Sequence, residues 1–262
     1  MGGFGVLGLW LTLAVTIVVA IATALGFLWL AKRTLGKDVD PAHNPSLSPF
    51  LTVVGLVFGA LLGFTVVVAW EQFSSADANV AHEASTLTTM YRQTVAMPEP
   101  QRTQLRQQLR KYAEAVAGPE WSAQETGDRA DHTARSAITN IYRLFGSRPA
   151  GVSSPVDGEF LGQLTVLATD RNQRALDQKP RIPGLLWAGL IVGGALAIAI
   201  AGFIQFRSQR GHVILTSGVA LLLGLLLFIV YWLDHPFGTQ IGVTPAPFHQ
   251  AIEVFDIIDQ GT

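Results

Sequence analysis

The sequence contains no cysteine among its 262 residues. Disulfide bonds, thiolate nucleophiles and metal sites with cysteine ligands are therefore excluded. The six histidines are scattered, and no two of them stand at a helical spacing that would let them share a metal ion. Phosphate-binding glycine loops, dinucleotide fingerprints and nucleophile elbows are also missing. We accordingly predict that the protein is not an enzyme and that it holds no cofactor or metal.

Four long stretches of the sequence lack charge altogether. Each contains no Asp, Glu, Lys, Arg or His, and each provides the roughly 20 apolar residues that a membrane-spanning helix needs. A single Arg or Lys at the centre of such a helix would cost about 3 kcal/mol of insertion free energy. We therefore predict an all-α, polytopic membrane protein with four transmembrane helices. The predicted spans are 4–31, 49–70, 184–206 and 213–233.

Basic residues are concentrated in the short connections between these stretches. The connections 32–47 and 207–212 contain Lys and Arg, whereas the N-terminus and the tail from residue 234 contain neither. Short cytoplasmic loops carry an excess of Lys and Arg, so the pattern favours both termini and the long segment 71–183 outside. The inverted orientation stays open, because long segments translocate largely regardless of charge. The first stretch lacks the basic start of a cleaved signal peptide and is interpreted as a retained anchor.

The second stretch continues beyond the membrane as a helical pattern. No Gly or Pro interrupts the chain between residue 70 and Pro98, and apolar residues recur at spacings of three and four. A helix over 49–97 would be about 70 Å long at 1.5 Å per residue, of which about 30 Å spans hydrocarbon. The apolar stripe of its extramembrane part consists of Phe73, Ala76, Val80, Ala84, Leu87 and Tyr91.

Further amphipathic patterns predict helices over 100–117 and 129–145 and from Pro155 to Asp177. Ser154 and Pro155 are typical of an N-cap and a first helical position. No strand pattern of any length is present, so this region is expected to be a helical bundle. The residues 248–259 predict a short amphipathic helix, which either lies on the membrane surface or packs on the bundle.

The chain is thus expected to contain four regions. A transmembrane hairpin covers 1–70, and a helical extramembrane domain continuous with the second span covers 71–183. A second transmembrane hairpin covers 184–233, and a tail covers 234–262. The bundle is therefore inserted between the second and third transmembrane helices.

Glycines recur every four residues in two of the predicted spans. Gly55, Gly59 and Gly63 share one face of the second span, and Gly189 and Gly193 share one face of the third. Small residues at this spacing let helix backbones approach closely. The faces are interpreted as packing surfaces within the subunit, with an oligomer interface or a pore lining as the alternative.

Charged residues at the ends of the spans are further candidates. Glu71 and Asp234 stand at the predicted outer ends of the second and fourth spans, where carboxylates could form a ring at a pore mouth. The alternative is that both are ordinary polar residues of the membrane interface. Asp234 also precedes His235 and Pro236, which favours a turn that ends a helix.

A second group of charges is expected to meet within the bundle. The topology places parts of two helices near the membrane, namely the extramembrane extension of the second span and the last extramembrane helix. Their charges could therefore form a network. The alternatives are a solvated face and ion pairs that only stabilise the fold. The candidates are His82, Glu83, Arg92, Asp170, Arg171 and Arg174.

The segment 55–92 resembles the bestrophin-like domain family of bacterial membrane proteins, a family of unknown function. The resemblance is carried by the runs from Gly59 to Thr65 and from His82 to Leu87, by Tyr91-Arg92, and by the later segments 100–106 and 233–238. It extends in order over most of the chain.

Two positions depart from the family pattern. No arginine precedes Phe73, and His235 stands where the family usually carries arginine before Pro236. Any role that depends on those two arginines does not transfer to this chain.

True bestrophins are oligomeric anion channels with four membrane helices per subunit. The resemblance therefore implies a homo-oligomeric channel for small ions, with anions as candidates, in the inner membrane of a bacterium. We expect the second span to line a hydrophobic pore. The expected partners are the lipid bilayer and further copies of the chain, and no binding of nucleic acid is expected. A non-conducting sensor or scaffold, whose bundle binds a partner or ligand, is the alternative. A proton-coupled transporter is disfavoured, because such proteins carry ionisable groups at membrane depth.

Overall fold

A computed structural model describes residues 3–35, 44–126, 132–147, 154–204, 208–237 and 242–261 of the chain. These ranges are helical, with no strand among them. The helices are α1 (Gly3–Leu35), α2 (Asn44–Gln93), α3 (Gln101–Ala115), α4 (Trp121–Thr126), α5 (Thr133–Gly146), α6 (Pro155–Asp177), α7 (Gly184–Phe203), α8 (Gln209–Leu233) and α9 (Ala246–Gln260). A 3-10 turn, Thr94–Ala96, follows α2, and a π-helical segment, Val116–Glu120, follows α3.

Four of these helices are long and apolar enough to cross a membrane. They are Gly8–Arg33 in α1, Ser48–Ala96 in α2 and the following turn, Gly184–Phe203, and Gln209–Leu233. The all-α, polytopic architecture predicted from the sequence is confirmed, with a helical bundle inserted between the second and third of these helices.

The chain divides into two compact units. The first unit contains Met1–Gln72 and Arg181–Asp234, and the second contains Phe73–Pro180 and His235–Thr262. Both units share α2, which runs from Asn44 to Gln93 as one helix. The first unit therefore holds the apolar spans, and the second holds the bundle.

Small residues bring α1, α7 and α8 close together in the first unit. Ala24 and Ala220 are fully buried, and Ile198 packs with them. A Cβ added at Gly224 of α8 would come within 3.1 Å of the Cβ of Ala20 in α1. The absence of a side chain at Gly224 thus permits a closer approach of α8 to α1 than any other residue would allow.

An apolar core organises the second unit. Each fully buried Leu, Ile or Phe side chain stabilises such a core by about 1.5–3 kcal/mol relative to exposure in water. Its fully buried members come from α2, α3, the π-helical segment, α5, α6 and α9, among them Leu87, Leu105, Leu109, Tyr112, Val116, Ile141, Phe160, Leu164, Phe248 and Phe255.

The start of α6 follows the sequence prediction. Ser154 is the N-cap, and its hydroxyl oxygen accepts a hydrogen bond from the Asp157 backbone N–H at 3.3 Å. The Asp157 carboxylate accepts in return from the Ser154 backbone N–H at 2.8 Å. This reciprocal capping box satisfies two backbone donors that the first turn of a helix leaves without intrahelical partners.

Other helix ends differ from the expectation. The sequence predicts a helix that ends at 117, whereas α3 ends at Ala115 and the chain continues through the π-helical segment, which contains Pro119, into α4. Proline has no backbone N–H to donate, and the wider turn of a π-helix accommodates this interruption without ending the helical path. The helix α8 begins at Gln209 rather than 213, because the Ser208 hydroxyl caps the Gly211 N–H at 3.4 Å. The predicted start of α5 at 129 lies outside the described residues.

The tail adopts one of its two expected arrangements. The helix α9 packs on the bundle, with Phe248, Ala251 and Phe255 buried in the core of the second unit. The predicted apolar face of α9 therefore packs against the bundle.

Candidate functional site

The glycine face of α2 is open in the single chain. A Cβ added at Gly55, Gly59 or Gly63 would meet no atom within 4 Å. The three glycines border a groove of about 610 Å³ on the first unit. Its other lining residues are all apolar and include Phe58, Leu62, Val66, Ala197, Ala201 and Leu222. The groove thus offers close backbone approach and apolar contact, and its lining carries no charge.

The glycines of α7 are in contact with α2. A Cβ added at Gly193 would stand 2.6 Å from Cδ2 of Phe58, whose ring is buried. One at Gly189 would stand 4.0 Å from Cδ2 of Leu61. The α7 face is therefore a packing surface within the subunit, whereas the α2 glycines are in contact with no side chain among the described residues.

The two candidate carboxylates at the span ends have different surroundings. Glu71 is exposed. Asp234 is buried at the end of α8, where Oδ1 accepts from the backbone N–H groups of Arg181 at 2.9 Å and Ile182 at 3.1 Å. Its Oδ2 accepts from Nε1 of Trp187 at 3.3 Å. Asp234 thus connects the end of α8 to the start of α7, which is a packing role.

A buried ion pair joins α2 to α6 in the second unit. Glu83 and Arg174 are both fully buried, and Nε of Arg174 donates to Oε2 of Glu83 at 2.8 Å. Nη2 of Arg174 donates to Oε1 at 3.3 Å, and the Tyr112 hydroxyl donates to the same oxygen. Both Glu83 carboxylate oxygens are therefore occupied.

A second carboxylate extends this ion pair. Oε1 of Glu120 accepts from Nη2 of Arg174 at 3.0 Å and from Nη2 of Arg171 at 3.1 Å. Two carboxylates and two guanidinium groups thus balance in charge within the bundle. The sequence reasoning placed Glu83, Arg171 and Arg174 together but missed Tyr112 and Glu120, which no local spacing connects to them.

Burial dominates the electrostatics of this network. Burial raises the pKa of Glu83, and the neighbouring Arg174 opposes that shift. Burial alone would lower the pKa of Arg174, but attraction to Glu83, Tyr112 and Glu120 together with the hydrogen bond to Glu83 outweighs burial and raises that pKa. Burial also raises the pKa of the Tyr112 hydroxyl well above its ordinary value. Arg174 thus offsets part of the cost of burying the Glu83 carboxylate, and Glu83 in turn favours the charged form of Arg174.

Two further polar contacts connect α2 and α6. Nδ1 of His82 lies 2.7 Å from Oδ2 of Asp170. Nδ2 of Asn79 donates to Oδ2 of Asp177 at 2.8 Å. Arg92 is exposed and makes no ion pair with the described residues, so it does not join the network. The structure therefore brings five of the six expected charges into contacts between helices.

Comparisons with known proteins give a consistent result. The sequence matches the model of the bestrophin-like domain family over residues 18–248. The fold is similar to the crystal structure of a bacterial bestrophin homolog from Klebsiella pneumoniae, with 15% identity, a TM-score of 0.67 and coverage of 94% of this chain and 96% of that one. A point variant of a bestrophin homolog from the same organism gives 14% identity, a TM-score of 0.69 and coverage of 96% and 98%. A search of curated proteins finds no match.

Proposed function

Because the chain belongs to the bestrophin-like domain family, we propose that it forms a homo-oligomeric channel for small ions in the inner membrane of a bacterium. Bestrophin homologues are ion channels, so a channel is consistent with the family. Anions are the first species to test, since true bestrophins conduct them. The pore would be hydrophobic and lined by α2.

The observation that carries this proposal is the uncovered membrane part of α2. Among the described residues, no atom lies within 4 Å of a Cβ added at Gly55, Gly59 or Gly63, and large apolar side chains such as Val57, Phe64 and Val68 are also exposed. The groove that these glycines border with α7 and α8 is open, so this surface is available to further copies of the chain or to a central axis. Opening would then depend on wetting of a hydrophobic constriction.

Flux through liposomes that contain the purified protein tests the proposal. We expect flux of a small ion above that of empty liposomes. Gly59→Leu should reduce the flux at least several-fold, because it fills the open α2 face. Gly26→Leu is the matched control, since Gly26 lies on α1 and is equally open. Absence of flux for common anions and cations, across pH and voltage, would reject the channel.

The orientation is a separate part of the proposal. The basic connections support an inner-membrane protein with both termini outside. Because the chain has no cysteine, single cysteines report orientation without background. Glu253→Cys on α9 should react with an impermeant maleimide in intact cells, and Arg210→Cys only after the membrane is opened. The reverse pattern would establish the inverted orientation.

The second candidate is a non-conducting sensor or scaffold. A groove of about 280 Å³ between α2 and α9, lined by Ala81, Ser85, Thr88 and Gln250 among others, supports partner binding at the bundle. Lack of any ion flux, together with saturable binding of one partner that Ser85→Trp abolishes, would favour this candidate over the channel.

A further inference from the structure

Three ion pairs connect α9 to α3. Nη1 of Arg106 lies 2.9 Å from Oδ1 of Asp259. Nη1 of Arg110 lies 2.8 Å from Oδ1 of Asp256, and Nη2 of Arg110 lies 3.0 Å from Oδ2 of Asp259. Arg106 and Arg110 are one helical turn apart on α3, and the two aspartates are one turn apart on α9, so each pair of like charges meets its opposite pair.

Aromatic rings connect the same part of α9 to α2. The rings of Tyr91 and Phe255 stack with centroids 3.9 Å apart, and the Tyr91 hydroxyl donates to Oδ2 of Asp259 at 2.7 Å. The guanidinium of Arg106 lies 5.4 Å from the centre of the Tyr91 ring. That of Arg110 lies 5.9 Å from the centre of the Phe255 ring. The end of α9 is therefore attached to both α2 and α3.

The two halves of α9 are held by different forces. At its start, Phe248 and Ala251 are buried, and Phe248 lies 5.9 Å from the buried guanidinium of Arg174. At its end, Asp256 and Asp259 are 54% and 38% exposed, and their partners Arg106 and Arg110 are 14% and 29% exposed. Salt screens exposed ion pairs strongly and apolar burial hardly at all. Ionic strength thus acts on the ion pairs at the end of α9 and hardly on the apolar burial of its start or of Phe255.

We propose that residues 254–260 of α9 form a salt-sensitive latch on α2 and α3, closed at low ionic strength and opening more often at high ionic strength. The start of α9 is the fixed end, and Phe255 is the apolar contact that recloses the latch. Opening frees the Arg106 and Arg110 side chains and the Tyr91 ring from α9. The inference concerns the bundle alone and holds whether or not the protein conducts ions.

Hydrogen exchange of the full chain in lipid nanodiscs tests the latch. Exchange is measured at about 0.1 M and about 1 M salt, between which the screening length falls from about 10 to about 3 Å. We expect the amides of residues 254–260 to exchange roughly five- to tenfold faster at high salt. This factor is the increase in the population of the open state that follows when salt screens the three ion pairs. The amides of α5, which has no contact with α9 through these pairs, should not respond.

Charge variants provide the matched comparison. Arg110→Glu should give fast exchange of 254–260 already at low salt, and Asp256→Arg in the same chain should restore slow exchange. Lys111→Glu is the control, because Lys111 is exposed on the same helix and makes no ion pair with α9. Salt-independent exchange of the unmodified chain would overturn the latch. So would an equal response of α5 and residues 254–260, because the bundle would then open as a whole.

Discussion

Removal of the Arg174 guanidinium should destabilise the bundle more than any other single truncation of a charged side chain. In Arg174→Met, the carboxylate of Glu83 remains fully buried and loses its Nε and Nη2 donors, and Glu120 loses one of its two donors. Loss of one partner of a buried ion pair costs about 3–5 kcal/mol, because the remaining charge stays uncompensated. Since Arg174 is 0% exposed, solvent screening does not reduce this value.

The loss should depend on pH with a definite sign. Burial already raises the pKa of Glu83 above 4.5, and removal of Arg174 removes the main opposing influence, so the pKa in the folded variant rises further. A folded-state pKa above the unfolded one means that the folded state binds more protons. Stability of the variant therefore falls as the pH rises through the folded pKa of Glu83. The difference from the unmodified chain should be larger at about pH 8 than at about pH 5.

Thermal unfolding in nanodiscs, followed by tryptophan fluorescence, to which the buried Trp121 of the bundle contributes, measures this effect. A loss of about 3–5 kcal/mol corresponds to a decrease in Tm of about 10–17 °C for a unit of this size. Glu83→Gln in the same chain should recover part of the loss and remove most of its pH dependence. Arg135→Met, an exposed position on α5, is the control and should shift Tm by less than about 2 °C. A Tm of Arg174→Met within about 2 °C of that of the unmodified chain would refute the reasoning. So would a loss of stability that does not depend on pH.

Three further predictions use the same unfolding assay. Asp234→Ala should lower stability by about 2–3 kcal/mol, because the buried backbone N–H of Ile182 and the partly buried one of Arg181 lose their acceptor; equal stability would mean that water replaces the carboxylate. Gly193→Val should cost about 1–3 kcal/mol through its clash with Phe58, and Phe58→Ala should partly relieve this cost. A cost that persists unchanged in the double variant would contradict the clash. Ser154→Ala should cost about 1 kcal/mol, whereas Ser154→Asp should stay within a few tenths of the unmodified chain.

Most helices of this protein could be predicted because their signals are local. Absence of charge identified the four spans, and the unbroken pattern after Trp70 indicated that α2 continues past its span. The capping box at Ser154 is equally local, since its two partners are three residues apart. Helix ends were predicted less well than helices. At Pro119, a π-helical segment continues the helical path where the sequence pattern predicts an end.

The composition of the buried network could be predicted only in part. Glu83 and Arg174 stand on helices that the topology places side by side, so their pairing could be proposed from the sequence. Tyr112 and Glu120 come from α3 and the segment after it, and nothing in the local sequence pattern indicates that their side chains contact Glu83 and Arg174. The opposed pairs on α3 and α9 do carry a local signal, in matching one-turn spacings of Arg and Asp.

By itself, the sequence determined the class of the protein, the four spans, the length of α2 and the family. These properties follow from the transfer cost of charge and from hydrophobic periodicity, which each segment carries in its own residues. Only the tertiary structure decided that Gly193 is covered by Phe58 while Gly59 is open, and that Asp234 braces two helix ends. The glycine motifs in α2 and α7 have the same spacing, so what differs between them is which neighbour arrives from elsewhere in the chain. That difference depends on packing between distant segments, and no local pattern encodes it.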